Sequence, residues 1–92
     1  MIKVIKFYAD WCGPCRLYAK IFDKVSKELT EANYGENKIE FININVEKDT
    51  SGLAAKYKVT SIPMTVVIKN GEEKSSLGLL QENALKGLIL DE

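Results

Sequence analysis

The chain has 92 residues, and its thirteen basic side chains balance thirteen acidic ones in an interspersed pattern, so there is no electrostatic footprint for nucleic acid or an anionic membrane surface. With 46% apolar and 28% charged residues it has the make-up of a soluble globular protein, and its length suits one domain over residues 1–92. Histidine is absent, which removes the usual general base and the commonest metal ligand together.

Ile2 to Tyr8 is rich in Ile, Val and aromatic residues and reads as a strand covered on both faces. Lys6 is discordant in it, because period-2 alternation puts it on the same face as Val4 and Tyr8. No apolar run is long enough to span a bilayer, and lysines interrupt this first tract, so it does not read as a signal peptide. The expected setting is a reducing cytoplasm, and the expected state a monomer.

Helical periodicity begins at the cysteines. Leu17, Ile21, Val25 and Leu29 recur every four residues with Tyr18 and Phe22 beside them, which predicts a helix from about Gly13 to about Glu31. Pro14 suits its first turn, where a missing N–H costs nothing. Asn33-Tyr34-Gly35-Glu36-Asn37 supplies stop and turn residues. A second strand follows over Ile39 to Val46. The polar run from Glu47 to Ser51 offers an N-cap for a short helix from Gly52 to Tyr57. Val59 to Pro63 is a loop leading into a third strand, Met64 to Lys69. Asn70-Gly71 is a hairpin signal, so Glu72 to Leu77 returns antiparallel until Gly78 breaks it. A last helix, Glu82 to Leu90, turns Leu85, Leu88 and Ile89 inward, and Gly87 within it favours fraying. The predicted order is β-α-β-α-β-β-α: an α/β fold with a mixed four-stranded sheet and helices on its faces.

The chemistry concentrates at Trp11-Cys12-Gly13-Pro14-Cys15, which holds both cysteines and the only tryptophan. Only a thiolate attacks a disulfide, and a helix N-terminus stabilises an anion through free N–H groups and the dipole. Cys12 falls at that position. Cys15 lies one turn on, on the same side, so Cys12 can form a mixed disulfide with a substrate that Cys15 then resolves. Gly13 and Pro14 permit and fix the tight turn. Zinc needs about four ligands, which one chain with two cysteines and no histidine supplies only if carboxylates or a second subunit help. Haem attachment needs histidine after the second cysteine, where Arg16 stands. A structural staple gains little from closing so short a loop, and two inert buried thiols are the remaining reading.

Phe7-Tyr8-Ala9-Asp10-Trp11-Cys12-Gly13-Pro14-Cys15-Arg16 resembles the active-site signature of the thioredoxin family. Leu53 to Val59 followed by Ser61-Ile62-Pro63 resembles that family's helix and cis-proline loop. Lys69-Asn70-Gly71-Glu72 is similar to its hairpin, and Leu77-Gly78 to its last substrate-loop glycine. The resemblance implies a thioredoxin fold and a protein disulfide reductase that binds no cofactor beyond a redox-active Cys12–Cys15 disulfide. It implies protein disulfides as substrates and thioredoxin reductase as electron donor. It also implies a cis bond at Ile62–Pro63, substrate contacts at Ile62 and Pro63, and an apolar docking rim from Trp11, Leu77 and Gly78.

Three departures stand out. The sequence starts at the strand that feeds the active site, a layout closer to glutaredoxins. Lys6 occupies the position where the family commonly has a buried acid, and Asn43 the place of a lysine on the neighbouring strand. Lys20 replaces a proline that usually kinks the helix, which predicts a straighter one. For Lys6 two readings stand: its stem packs on the core while the ammonium snorkels to solvent, or the ammonium lies beneath the dithiol and favours its thiolates. For the whole protein the alternatives are a glutathione-linked, glutaredoxin-like oxidoreductase, against which Gly-Pro between the cysteines argues, and a docking subunit that uses the fold without the chemistry.

Overall fold

The computed structural model describes residues 2–31 and 38–90. Its elements are β1 (Ile2–Tyr8), α1 (Gly13–Glu31), β2 (Ile39–Asn45), α2 (Leu53–Lys56), β3 (Met64–Lys69), β4 (Glu72–Leu77) and α3 (Glu82–Leu90). The sheet order is β2-β1-β3-β4. This is the expected β-α-β-α-β-β-α order, and the mixed sheet carries helices on both faces.

β1 is an interior strand, which accounts for its continuous apolar character. It pairs in parallel with β2, with Lys6 beside Asn43, and antiparallel with β3, with Lys6 beside Thr65. A parallel pair cannot be closed by a short turn, and α1 provides the crossover. β3 and β4 form an antiparallel hairpin. Its turn residues Asn70 (φ 51°) and Gly71 (φ 87°) are both left-handed, the geometry that matches the twist of the flanking strands.

Alternation along β1 divides the core. Val4 turns to one face, where it meets Tyr18, Phe22, Val25 and Leu29 of α1 and Leu85 and Ile89 of α3. Ile5 and Phe7 turn to the other, against Leu53, Ala54 and Tyr57 of the α2 segment. Phe22 meets Tyr18 with ring centroids 5.9 Å apart and the edge of Phe41 at 5.6 Å. The Tyr18 and Thr65 hydroxyls share a buried hydrogen bond of 2.6 Å, which ties α1 to β3.

The buried stripe of α1 corrects the sequence expectation. Leu17 is 55% exposed, and the face on the sheet is Cys15, Tyr18, Phe22, Val25 and Leu29, with Ile21 at its margin. A strict four-residue spacing drifts by about 40° per step around a helix of 3.6 residues per turn, so Leu17 and Leu29 cannot share a face. The alternating three-and-four spacing from Cys15 holds one face.

The other differences are smaller. β2 stops one residue before Val46, whose amide still donates to the Tyr8 carbonyl at 2.8 Å. α2 is confined to Leu53–Lys56. Its first amides are satisfied from the preceding loop: Ser51 Oγ accepts from the Leu53 amide (3.1 Å) and Asp49 Oδ2 from the Ala54 amide (3.0 Å). α1 is continuous past Lys20, and α3 past Gly87. The turn expected over 33–37 lies outside the described residues. Among the described residues, no helix is long and apolar enough to cross a membrane.

Leu29→Ala, in the buried stripe, should destabilise the fold by about 2–5 kcal/mol in urea unfolding, whereas Leu17→Ala should change it by no more than about 0.5 kcal/mol. Equal losses would contradict the packing of α1. Tyr18→Phe leaves the Thr65 hydroxyl without its buried partner and should cost about 1–3 kcal/mol in the same measurement.

Candidate active site

The two cysteines sit where β1 gives way to α1. After Tyr8 the chain turns through Ala9, Asp10 and Trp11, and the Cys12 amide closes the turn on the Ala9 carbonyl at 3.2 Å. Cys12 is the last residue before the helix, and Gly13 and Pro14 fill its first two positions. The Cys15 amide therefore has no carbonyl a turn earlier in the helix, and it donates to Cys12 Sγ at 3.2 Å. This is the geometry of a side-chain N-cap with sulfur as the acceptor. The two residues form a disulfide, with Cα atoms 5.2 Å apart.

Cys12 and Cys15 are 5% and 3% exposed, so both are nearly covered, and they pack with Ala9 against Tyr8, Val46 and Ile62. The Arg16 guanidinium donates from Nε and Nη2 to the Asp10 carbonyl at 3.3 and 3.2 Å, fixing the turn to the helix. Trp11, by contrast, is 68% exposed.

A second loop comes up beside the first. The Ile62–Pro63 bond is cis, as expected, and the Ile62 carbonyl lies 4.0 Å from Cys12 Sγ although the two residues are 50 apart in sequence. The Pro63 carbonyl accepts from the Gly78 amide at 2.8 Å. Gly78 has φ 87°, a left-handed conformation that glycine adopts without strain. Leu77, beside it, pairs with Met64 and is 63% exposed. Cys12, Ile62, Pro63 and Gly78 thus form one chain of contacts, with exposed Trp11 next to Cys12 and exposed Leu77 next to Gly78. Sequence reasoning missed the Arg16 clamp and the Gly78–Pro63 bond, since both are made to backbone carbonyls, which no side-chain pattern encodes.

The Lys6 stem is buried, while its ammonium keeps contact with solvent in a cleft. The residue is 6% exposed, and its ammonium lies over the rings of Phe22 (5.0 Å) and Tyr8 (5.2 Å). It lines a cleft between α1 and the β1–β2 half of the sheet that Cys15 also lines. Burial lowers its pKa from the ordinary 10.5, and Asp23 acts in the opposite direction. No cluster of three or more metal-ligating side chains occurs among the described residues.

Two sulfurs that close a ring at the head of a helix, one held by the other residue's amide, form a pair able to pass two electrons by thiol–disulfide exchange. The chain is a CxxC thiol–disulfide oxidoreductase. The thioredoxin family model matches residues 1–91. Thioredoxin of Borreliella burgdorferi is 37% identical over 89 residues, spanning 96% of this chain and 70% of that protein. Thioredoxin of Rickettsia felis is 35% identical over 83 residues, spanning 89% and 72%. The solved thioredoxin of Fasciola hepatica superposes with a TM-score of 0.80 at 35% identity, covering 98% of this chain and 79% of that one. This protein belongs to the thioredoxin family.

A lysine with a buried stem, whose ammonium has two ring faces and the charge of Asp23 nearby but no ion pair among the described residues, is less stable there than an apolar side chain of the same length. Lys6→Met should therefore raise the urea midpoint at neutral pH, by about 1 kcal/mol in stability. The sign with pH follows from the lowered pKa. Below the folded-state pKa the wild type carries the full burial penalty, and this fades as pH rises toward the unfolded value of 10.5. The advantage of the variant should shrink over that interval. A lower midpoint for Lys6→Met would mean that the two rings outweigh desolvation.

Proposed function

We propose that this protein reduces disulfides in protein substrates, with Cys12 as nucleophile and Cys15 as resolving thiol. The observation that carries the assignment is the Cys15 amide on Cys12 Sγ at the head of α1. That amide and the helix dipole favour negative charge on Cys12 over Cys15. The Cys12 thiolate attacks one substrate sulfur to form a mixed disulfide, and the other substrate sulfur leaves and takes a proton. Cys15, deprotonated, then attacks Cys12 Sγ and expels the second substrate sulfur. Two electrons pass to the substrate, and the Cys12–Cys15 disulfide remains.

Ile62 and Pro63 hold the substrate segment against the nucleophile, and Trp11, Leu77 and Gly78 give the rim that docks its apolar side chains. Support comes from the 4.0 Å approach of the Ile62 carbonyl to Cys12 Sγ and from the exposure of Trp11 and Leu77. Gly13 and Pro14 set the turn between the thiols. The protein works as a single-domain monomer in the cytoplasm, with no bound cofactor, and thioredoxin reductase returns the electrons. Lys6 raises the midpoint potential: a positive charge in the cleft walled by Cys15 favours thiolate there and so stabilises the reduced form.

Insulin reduction by dithiothreitol should be accelerated by the wild type and not by Cys12→Ser, and equal acceleration by that variant would refute the assignment. Cys15→Ser should accumulate a mixed disulfide through Cys12. NADPH with thioredoxin reductase should reduce the disulfide form, and reduction by glutathione alone would point to a different donor. In a glutathione-buffered titration Lys6→Met should lower the midpoint by tens of millivolts, at about 30 mV per 1.4 kcal/mol. An unchanged midpoint would sink the role given to Lys6.

A further inference from the structure

The cleft that Lys6 and Cys15 both line has a volume of about 690 Å³. Tyr8, Phe22 and Phe41 give it ring surface, and Ser26 and Asn43 give it neutral polar groups. Four charged side chains also line it, and three are already engaged. Asp10 faces the Lys48 ammonium at 3.8 Å, Asp23 pairs with Lys27 at 3.1 Å, and Arg16 donates to the Asp10 carbonyl. Lys6 differs. Among the described residues its ammonium has no hydrogen-bond acceptor and no carboxylate at ion-pair distance, although the residue is only 6% exposed. An ammonium at the wall of a cleft, with Asp23 acting on it only from beyond ion-pair distance, is open to the anionic group of a ligand.

We propose that this cleft binds a small organic monocarboxylate, with the carboxylate on the Lys6 ammonium and the apolar body against Tyr8, Phe22 and Phe41. The volume is far larger than an inorganic ion needs, and the ring-lined walls would gain nothing from one. The two aspartates set the charge limit, because a ligand with more than one negative charge would meet them with the excess. Ser26 and Asn43 supply donors and acceptors for a substituent on the ligand.

Cys15 forms part of the same wall, so occupancy couples to the redox state. An anion on Lys6 cancels the charge that favours a Cys15 thiolate, and the ligand therefore binds the disulfide form more tightly than the reduced form. By linkage it makes the pair more reducing, and a tenfold preference corresponds to about 30 mV. This coupling rests on the redox role of Cys12 and Cys15; the binding site itself does not.

Benzoate titrated into the oxidised protein and followed by heteronuclear NMR tests the site directly. Saturable shifts should centre on Lys6, Phe22 and Asn43, and benzamide, the neutral isostere, should bind at least about tenfold more weakly. Absence of saturation with benzoate, or equal affinity for the two, would overturn the proposal. That comparison uses the wild type alone and so does not depend on a variant folding. Lys6→Met should lose the preference for benzoate over benzamide, and retention of it would equally count against the site. Saturating benzoate should lower the midpoint potential of the wild type, and an unmoved midpoint would overturn the coupling. Insulin reduction without benzoate reports the oxidoreductase chemistry independently, so failure of one leaves the other standing.

Discussion

The Cys15 amide reaches the Cys12 sulfur because Cys12 stands just before α1, where its side chain can cap one of the free N–H groups of the first turn. The other parts of the site depend on that position. β1, paired on both edges, fixes where its C-terminal end delivers the chain. The Ala9–Cys12 turn and the Arg16 clamp on the Asp10 carbonyl then set the angle at which α1 departs. Pro14 adds no competing donor in the first turn, since it has no N–H.

Behind the sulfurs the arrangement is less settled energetically. The core between α1 and the sheet is apolar except for the Tyr18–Thr65 hydroxyl pair and Lys6. The hydroxyls satisfy each other. The ammonium has the faces of Tyr8 and Phe22 and the charge of Asp23 beyond ion-pair distance, in a cleft with Cys15 at its wall. A lysine whose stem is buried beside aromatic rings, in a cleft that a redox-active cysteine also lines, costs stability relative to an apolar residue. Such a cost is expected at a working site and not in a purely structural core.

Much of this was legible in the sequence. Strand and helix order followed from period and from turn residues, and Asn70-Gly71 specified the hairpin because both central residues must be left-handed. Cys12 and Cys15 announced themselves by spacing, and the Ile62–Pro63 loop by resemblance. The face of α1 did not follow from the Leu17 series, because a four-residue repeat slips around the helix and the true stripe runs through Cys15, Tyr18 and Phe22. The surroundings of Lys6 were beyond reach, since they depend on where Phe22 and Tyr8 place their rings in three dimensions. Contacts to backbone carbonyls, as at Asp10 and Pro63, leave no trace in side-chain identity.

The central claim is that the helix N-terminus singles out one sulfur of the pair. Competitive alkylation of the fully reduced protein by iodoacetamide at neutral pH, mapped by mass spectrometry, measures this without any substrate. Cys12 should be labelled first, and faster than a cysteine in an unstructured peptide. Labelling of Cys15 first, or of both cysteines at the rate of the peptide, would contradict it.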